Sequence, residues 1–228
     1  MIDAKGLSKI YGKKTYLNSV SLKLRRGRAL AVAGGNGAGK TTLLKILATA
    51  ASPDEGSLFI NGVNALEAAA EARELIGYVP QSVALMQELS VKDNLYYWMK
   101  KKDGFIYSAV LDLIGLKDVE KKRVSKLSGG MQRRLNLGAA LVLRAPLLIL
   151  DEPLAGVDAS NRRRIVSGLN DIKKNGVSIV FVSHDLEEIK SLADELLVLR
   201  DGAVSYHGSL DFAEGIGSLA EAISRYTA

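Results

Sequence analysis

The stretch GGNGAGKTT, Gly34 to Thr42, decides how the rest of this sequence is interpreted. Apolar residues fill 29–33 before it and dominate 43–51 after it, which predicts a strand, a glycine-rich loop and a helix. The stretch fits the phosphate-loop pattern G-x-x-x-x-G-K-[ST]. The alternative is a glycine-rich turn that binds nothing, but strand and helix lie where the motif needs them. The loop therefore predicts a nucleoside triphosphate site and leaves the reaction open.

The loop combines a backbone cradle with two side chains that have separate tasks. Its glycines let successive N–H groups point inward, and the helix that comes next adds its positive N-terminal end. We expect Lys40 to reach the β- and γ-phosphates and the Thr41 hydroxyl to hold Mg²⁺. The residues expected to bind the nucleotide here are Gly34, Gly35, Asn36, Gly37, Ala38, Gly39, Lys40, Thr41 and Thr42.

The composition excludes several other chemistries. The chain has 228 residues, no cysteine, and only two histidines, His184 and His207, so thiolate and His-rich metal sites are excluded. Its net charge of +6 fits phosphates or an anionic membrane surface but is too diffuse to indicate nucleic acid. The N-terminus lacks the apolar core of a signal peptide. Because no apolar run approaches the roughly 18 residues of a membrane span, we expect any membrane role to come through a partner.

A second phosphate-related motif comes directly after an uninterrupted apolar run at 147–150. Such a run predicts a strand buried on both faces of a parallel sheet. It ends in Asp151-Glu152, the Walker B arrangement of phosphate-loop enzymes. We expect Asp151 to hold Mg²⁺ and Glu152 to orient or deprotonate the water that attacks the γ-phosphate.

Two more polar residues come two positions after the ends of predicted strands. Gln81 comes after 76–79, and His184 comes after 177–182. We expect Gln81 to contact the metal or the water, and His184 to donate to the γ-phosphate. A lone histidine is usually structural, but the carboxyl ends of parallel strands collect ligands at one edge of a sheet. These strand ends, taken together, favour a functional site.

A helical pattern from Val83 to Lys126 interrupts the alternation of strands and helices. We therefore predict a nucleotide-binding α/β core at 1–81 and 146–228, with an inserted helical subdomain at 82–145. Within the insert, Leu95, Trp98 and Met99 share one helical face, so Trp98 is predicted to belong to the core.

Three further features have mainly structural interpretations from the residues alone. The basic clusters Lys100–Lys102 and Lys121–Arg123 are each interpreted as solvated helix surface. Tyr11 could stack on a purine ring, but a tyrosine half-buried in a turn is the favoured interpretation.

The segment LSGGMQ, Leu127 to Gln132, resembles the signature of the ATP-binding cassette (ABC) ATPases, and the resemblance covers essentially the whole chain. It implies ATP and Mg²⁺ as ligands. It also implies an α/β fold: a phosphate-loop NTPase core with a mostly parallel sheet, an N-terminal antiparallel β subdomain and the inserted helical subdomain.

The same resemblance assigns roles to further residues. Tyr11 becomes the adenine-stacking aromatic, Gln81 joins the loop that couples nucleotide to a membrane partner, Asp158 faces the second subunit, and His184 becomes the switch histidine. The family pairs two cassettes head to tail, so the signature residues of one copy would contact ATP on the other: Ser128, Gly129, Gly130 and Gln132.

The sequence departs from the family pattern at two places. Gly35 stands where proline is frequent, and Leu154 to Ala159 differs from the usual Thr-Ser-Gly-Leu-Asp-Pro. The second departure affects the details of the dimer loop. Glu152 is present, so a hydrolysing site is expected.

The resemblance predicts a transport ATPase. Two stretches, 127–141 and 151–165, are similar to exporter ATPases for drugs, sodium and lipid-linked glycans. We expect a cytoplasmic subunit that lies on the inner face of the membrane through transmembrane permease subunits, pairs with a second cassette and binds no nucleic acid. The alternative is a soluble cassette for an assembly such as iron–sulfur cluster building. A DNA-repair cassette is disfavoured, because no long heptad segment interrupts the chain.

Overall fold

Two β-sheets form the framework of the protein in the computed structural model, which describes residues 1–211 and 218–227. In chain order the strands are β1 (Ile2–Tyr11), β2 (Lys14–Leu24), β3 (Ala29–Gly34), β4 (Glu55–Ile60), β5 (Val63–Asn64), β6 (Ile76–Val79), β7 (Leu147–Asp151), β8 (Ser178–Val182), β9 (Glu195–Arg200) and β10 (Ala203–Ser209). The first sheet is antiparallel, in the order β2-β1-β4-β5. It confirms the predicted N-terminal antiparallel sheet.

The second sheet has the order β10-β9-β3-β8-β7-β6. Its strands run parallel except β10, which pairs with β9 across the turn at Asp201-Gly202. Every residue of β7 and β8 is buried, as expected for strands covered on both faces. Because β3, β8, β7 and β6 are consecutive neighbours, their carboxyl ends lie side by side. The predicted mostly parallel core is therefore confirmed.

Helices cover the second sheet and occupy the insert. They are α1 (Lys40–Leu47), α2 (Ala69–Glu74), α3 (Val91–Trp98), α4 (Gly104–Ile114), α5 (Gly129–Leu141), α6 (Ala159–Lys174), α7 (Leu186–Leu192) and a C-terminal helix (Leu219–Thr227). Ser90 caps α3 by accepting from the Asp93 N–H at 3.1 Å, and Gly115 ends α4 at φ 61°. Serine and glycine are residue types that favour these two helix-end positions. Within the described residues, no helix combines the length and apolar character that crossing a membrane requires.

The division into a core and a helical subdomain stays a prediction. Apolar residues of α3, α4 and α5 belong to the same hydrophobic cluster as residues of the parallel sheet. The packing therefore does not separate the predicted helical subdomain from the predicted core. Part of the predicted core, 212–217 and 228, lies outside the described residues.

The predicted core position of Trp98 is wrong. Leu95 and Met99 are buried, but Trp98 is 38% exposed. The helical face does not continue because α3 ends at Trp98 and the backbone of Met99 is extended. Trp98 instead lies at the rim of a groove, where its ring contacts Tyr97 edge to face at 5.2 Å.

Candidate nucleotide site

The loop between β3 and α1 takes a backbone conformation that only glycine fits. Gly34 has φ 148°, and a Cβ there would lie 2.5 Å from the carbonyl oxygen of Leu199. Gly39 has φ 101°, and a Cβ there would overlap the carbonyl oxygen of Tyr16. The two motif glycines therefore let the loop pass close to β9 and β2 before α1 begins.

Lys40 is folded back onto this loop. Its ammonium donates to the carbonyl oxygens of Gly34 at 2.7 Å and Gly35 at 2.9 Å. Burial lowers the pKa of Lys40, while the carboxylates of Glu152 and Asp151 oppose that shift. The lysine is thus held at the loop by acceptors that phosphate oxygens can replace.

Asp151 ends β7 as a buried carboxylate, only 1% exposed. Within residues 1–211 and 218–227, neither of its oxygens accepts a hydrogen bond. Burial raises the pKa of Asp151, and the nearby Thr41 hydroxyl and Lys40 ammonium counter that rise. A buried carboxylate is costly unless hydrogen bonds or a cation compensate it, and the Thr41 hydroxyl and the Lys40 ammonium do so only in part. A carboxylate beside a hydroxyl, with phosphate and water oxygens as further ligands, suits Mg²⁺, so the residues present fit the metal.

Glu152 brings the predicted catalytic groups together. Its Oε1 accepts from Gln81 Nε2 at 3.2 Å and lies 3.4 Å from His184 Nε2. The backbone of Glu152 has φ 50°, a conformation unusual for a residue with a side chain, and its N–H donates to the carbonyl oxygen of Val182 at 3.1 Å. In this structure the Gln81 amide therefore contacts Glu152 rather than Asp151.

These groups line one cavity of about 210 Å³. It is formed by the loop from Asn36 to Thr42 together with Tyr16, Gln81, Glu152 and His184. Lys40 thus faces Glu152, Gln81 and His184 across the cavity, as the strand-end argument predicts.

Tyr16 lines the cavity although it was not predicted from the sequence. Tyr11, the predicted adenine partner, is 45% exposed, and its ring contacts the Tyr16 ring edge to face at 5.3 Å. Tyr16, not Tyr11, lines the cavity. The available signal was a second aromatic on the same β1–β2 hairpin, five positions after the first.

The signature residues lie outside this cavity. Ser128 caps α5 by accepting from the Met131 N–H at 3.3 Å, and Ser128 and Gly129 are exposed. A Cβ on Gly130 would lie 2.9 Å from the Gly156 carbonyl oxygen, so this helix start packs against the loop before Asp158. Gln132 donates to the carbonyl oxygens of Val124 and Leu127, which fixes the turn before Ser128.

Asp158 caps α6 and is exposed. It accepts from the Asn161 N–H at 3.0 Å and from the Asn161 side chain at 2.7 Å. These hydrogen bonds lower the pKa of Asp158. The predicted dimer loop therefore ends in a carboxylate that its own helix holds in place.

Arg162, one turn into α6, connects this loop to the segment after β8. Its guanidinium donates to the Val157 carbonyl oxygen at 3.2 Å and pairs with Asp185. Its Nε lies 3.1 Å from the Oε1 of Glu188, which is buried. In the sequence, Arg162 is only the first of three consecutive arginines.

Hydrogen bonds also fix Ser183 and Asp185, the two residues on either side of His184. The Ser183 hydroxyl donates to Glu188 Oε2 at 2.6 Å and accepts from the Asp185 N–H at 3.0 Å. Arg162 thus pairs directly with Asp185, the residue after His184. It is connected to Ser183, the residue before His184, through the carboxylate of Glu188.

The sequence of this chain matches a known protein family and several of its members. A family model described as ABC transporter matches residues 17–155. The linearmycin resistance ATP-binding protein LnrL of Bacillus subtilis is 34% identical over 89% of this chain and 67% of its own length. The spermidine/putrescine import ATP-binding protein PotA of Bacteroides fragilis is 33% identical over 92% of this chain and 47% of its own length.

The fold agrees with these relatives. A solved structure of an ATP-binding subunit of an ABC transporter is 26% identical to this chain, and the two superpose with a TM-score of 0.92. The superposition covers 100% of each chain. The chain spans about half the length of PotA and two thirds of the length of LnrL. The chain belongs to the ABC transporter family, as one of its ATP-binding cassette ATPases.

Proposed function

We propose that this protein is the ATP-hydrolysing subunit of a transporter and that it acts as a head-to-tail dimer beneath separate permease subunits. The observation that carries the proposal is the arrangement around Glu152. A carboxylate in contact with Gln81 and His184 faces the phosphate-loop lysine, next to a buried carboxylate that lacks a partner among the described residues.

Each residue has a defined task in ATP hydrolysis. Lys40 and the loop N–H groups bind the β- and γ-phosphates, and Thr41 and Asp151 would hold Mg²⁺, which neutralises phosphate charge when bound. Glu152 accepts the proton of the attacking water, and Gln81 keeps that carboxylate oriented. His184 donates to the γ-phosphate oxygens, where charge develops.

The second copy supplies what the cavity lacks. The hydroxyl of Ser128 and the N–H groups of Gly129 and Gly130 form an anion site at the start of α5, but they lie outside this chain's own cavity. We propose that they close on the γ-phosphate bound by the other subunit, with Asp158 near the shared interface.

A groove of about 440 Å³ is the proposed contact for the permease. Apolar and aromatic side chains of the sheet, of α3, of α5 and of the turn after α5 line it: Ile76, Tyr78, Trp98, Ala139, Ala140 and Leu143. It lies beside Pro80, one residue before Gln81, so a segment bound there would sense the nucleotide site.

The proposed direction of transport is export. The support for export is that the stretches around the signature and Walker B are similar to exporter ATPases. Of the two relatives, LnrL is named for resistance and PotA for import. These relatives are named for resistance or transport, which favours a transporter over a soluble assembly system.

Trp98→Ala is expected to reduce co-purification of the permease from solubilised membranes by tenfold or more, since a buried tryptophan anchor is typically worth about 2 kcal/mol or more. ATP turnover of the isolated subunit should not change. Tyr97→Ala is the matched control, because Tyr97 is more exposed and does not line the groove. Equal recovery of the permease with both variants would place the contact elsewhere.

Tyr11→Ala is expected to weaken ATP affinity several-fold, since an aromatic stacking contact is worth about 0.5–1.5 kcal/mol beyond area burial. Tyr11→Trp should have a milder effect. Nucleotide titration by calorimetry measures both. If Tyr11→Ala binds like the wild type while Tyr16→Ala loses affinity, the adenine stacks on Tyr16 instead.

Arg162→Gln is expected to lower kcat about tenfold while KM for ATP changes little, because a small displacement of a catalytic group costs rate more than binding. Arg163→Gln, the exposed neighbour, is the control. With only two histidines in the chain, labelled-histidine NMR reports His184 directly, and His207 serves as reference. An unchanged His184 signal and unchanged kcat would make Arg162 a structural residue only.

A further inference from the structure

Two clusters of three basic residues look equivalent in the sequence but differ in the structure. Lys100–Lys102 and Lys121–Arg123 are both exposed. Beside the first cluster lie exposed aromatic side chains: Tyr97 is 60% and Phe105 is 81% exposed. No such side chain flanks the second cluster within the described residues. The predicted helix surface is wrong for both clusters, because Lys100–Lys102 lies between α3 and α4 and Lys121–Arg123 also lies outside the helices. In the part of the chain that the structure describes, only the first cluster has exposed aromatic side chains next to it.

The charges of this segment are largely uncompensated. Lys100 pairs with Glu74, but Lys101 and Lys102 form no ion pair within residues 1–211 and 218–227. The ammonium of Lys102 lies 5.9 Å from the centre of the Tyr96 ring, and that of Lys92 lies 5.8 Å from the same centre. Two lysines thus lie near the Tyr96 ring of α3, one residue before Tyr97.

The segment borders the groove that we assign to the permease. Trp98 and Lys100 line that groove, and Tyr97 contacts Trp98. If the permease occupies the groove, which is part of the proposed function, this side of the protein is the side nearest the bilayer. We define the aromatic–basic patch as Tyr97, Lys101, Lys102 and Phe105.

We propose that the aromatic–basic patch binds the headgroup region of an anionic lipid bilayer. Tyrosine and tryptophan are enriched where membrane meets water, and lysines near an anionic surface are attracted to it. Phe105 projects at the start of α4 and is suited to insert among headgroups rather than to fill a pocket. The patch gives the subunit a direct lipid contact in addition to its permease contact.

Co-sedimentation of the purified full chain with phosphatidylglycerol vesicles tests the proposal, with phosphatidylcholine vesicles as the neutral reference. We expect binding to phosphatidylglycerol that weakens with added salt. Each lysine near an anionic surface contributes about fivefold in affinity, so Lys101→Gln with Lys102→Gln should weaken binding about 25-fold. Phe105→Ser should weaken it several-fold through lost apolar burial.

The second basic cluster provides a matched control. Lys121→Gln with Lys122→Gln removes the same charge from an exposed site that has no exposed aromatic residue next to it in the described chain, and it should change vesicle binding by less than about threefold. All variants should keep the wild-type Tm and ATP turnover, because none of these residues lies in the nucleotide site. If both double variants lose the same amount of vesicle binding, the binding depends only on net charge, and the proposed role of the aromatic–basic patch is wrong.

Two further results separate the patch from the permease contact. Absence of wild-type binding to phosphatidylglycerol overturns the proposal, as does loss of permease co-purification in patch variants that still bind vesicles. Vesicle binding that persists when no permease co-purifies would leave the patch in place and contradict the proposed transport role instead.

Discussion

Replacing Glu152 with glutamine is expected to leave ATP binding intact and to lower turnover by about 10²–10⁴-fold, the range that general-base assistance provides. Glutamine keeps the shape of the side chain and can still contact Gln81 and His184, but it cannot accept a proton. The structure gives Glu152 this role because its Oε1 meets both partners inside the cavity. Phosphate release and equilibrium nucleotide binding measure the two effects separately.

Glu187→Gln is the matched control for this prediction, since Glu187 is exposed and lies three residues after His184. It should hydrolyse ATP like the wild type. If Glu152→Gln also keeps wild-type turnover, Glu152 has only a structural role and another base must activate the water.

Lys40→Ala is expected to abolish tight ATP binding. Hydrogen bonds to a charged group contribute about 1.5–3 kcal/mol each, so losing two of them to phosphate oxygens lowers affinity by about 10²-fold or more. In this structure the ammonium already lies within the loop, on the carbonyl oxygens of Gly34 and Gly35. Fluorescent-nucleotide titration checks the prediction.

Lys45→Ala serves as the control, because Lys45 is exposed in the last turn of the same helix. It should bind ATP nearly normally. Since Lys40 also bonds to the loop, thermal unfolding of the apo variants is needed as well. A Lys40→Ala protein that folds and still binds ATP tightly would contradict the phosphate-loop assignment.

Much of the fold could be predicted because its signals are local. The apolar runs that become β3, β7 and β8 are buried almost throughout, and the glycines at 34 and 39 occupy positive-φ positions that other residues do not fit. Strand-end residues were expected to meet because parallel strands end at one edge of a sheet. The cavity that unites Lys40, Gln81, Glu152 and His184 agrees with this argument.

Contacts between distant segments could not be predicted in the same way. Arg162 and Glu188 are 26 positions apart, and nothing local marks them as partners. Trp98 fits a helical pattern that breaks only because α3 ends there, and the position of a helix end depends partly on contacts with distant residues. The aromatic residues beside Lys100–Lys102 are visible in the sequence, but the exposure of Tyr97 and Phe105 depends on how the helices pack.

Two copies of the protein are proposed to complete each other's ATP sites, and the mass of the Glu152→Gln variant in solution tests this most directly. With Mg-ATP, light scattering should give twice the 24.5 kDa of the chain, because unhydrolysed ATP holds the subunits together. Adding Ser128→Arg, which puts bulk and charge into the shared site, should return the monomer mass. A Glu152→Gln protein that binds ATP yet stays at 24.5 kDa would contradict the shared site.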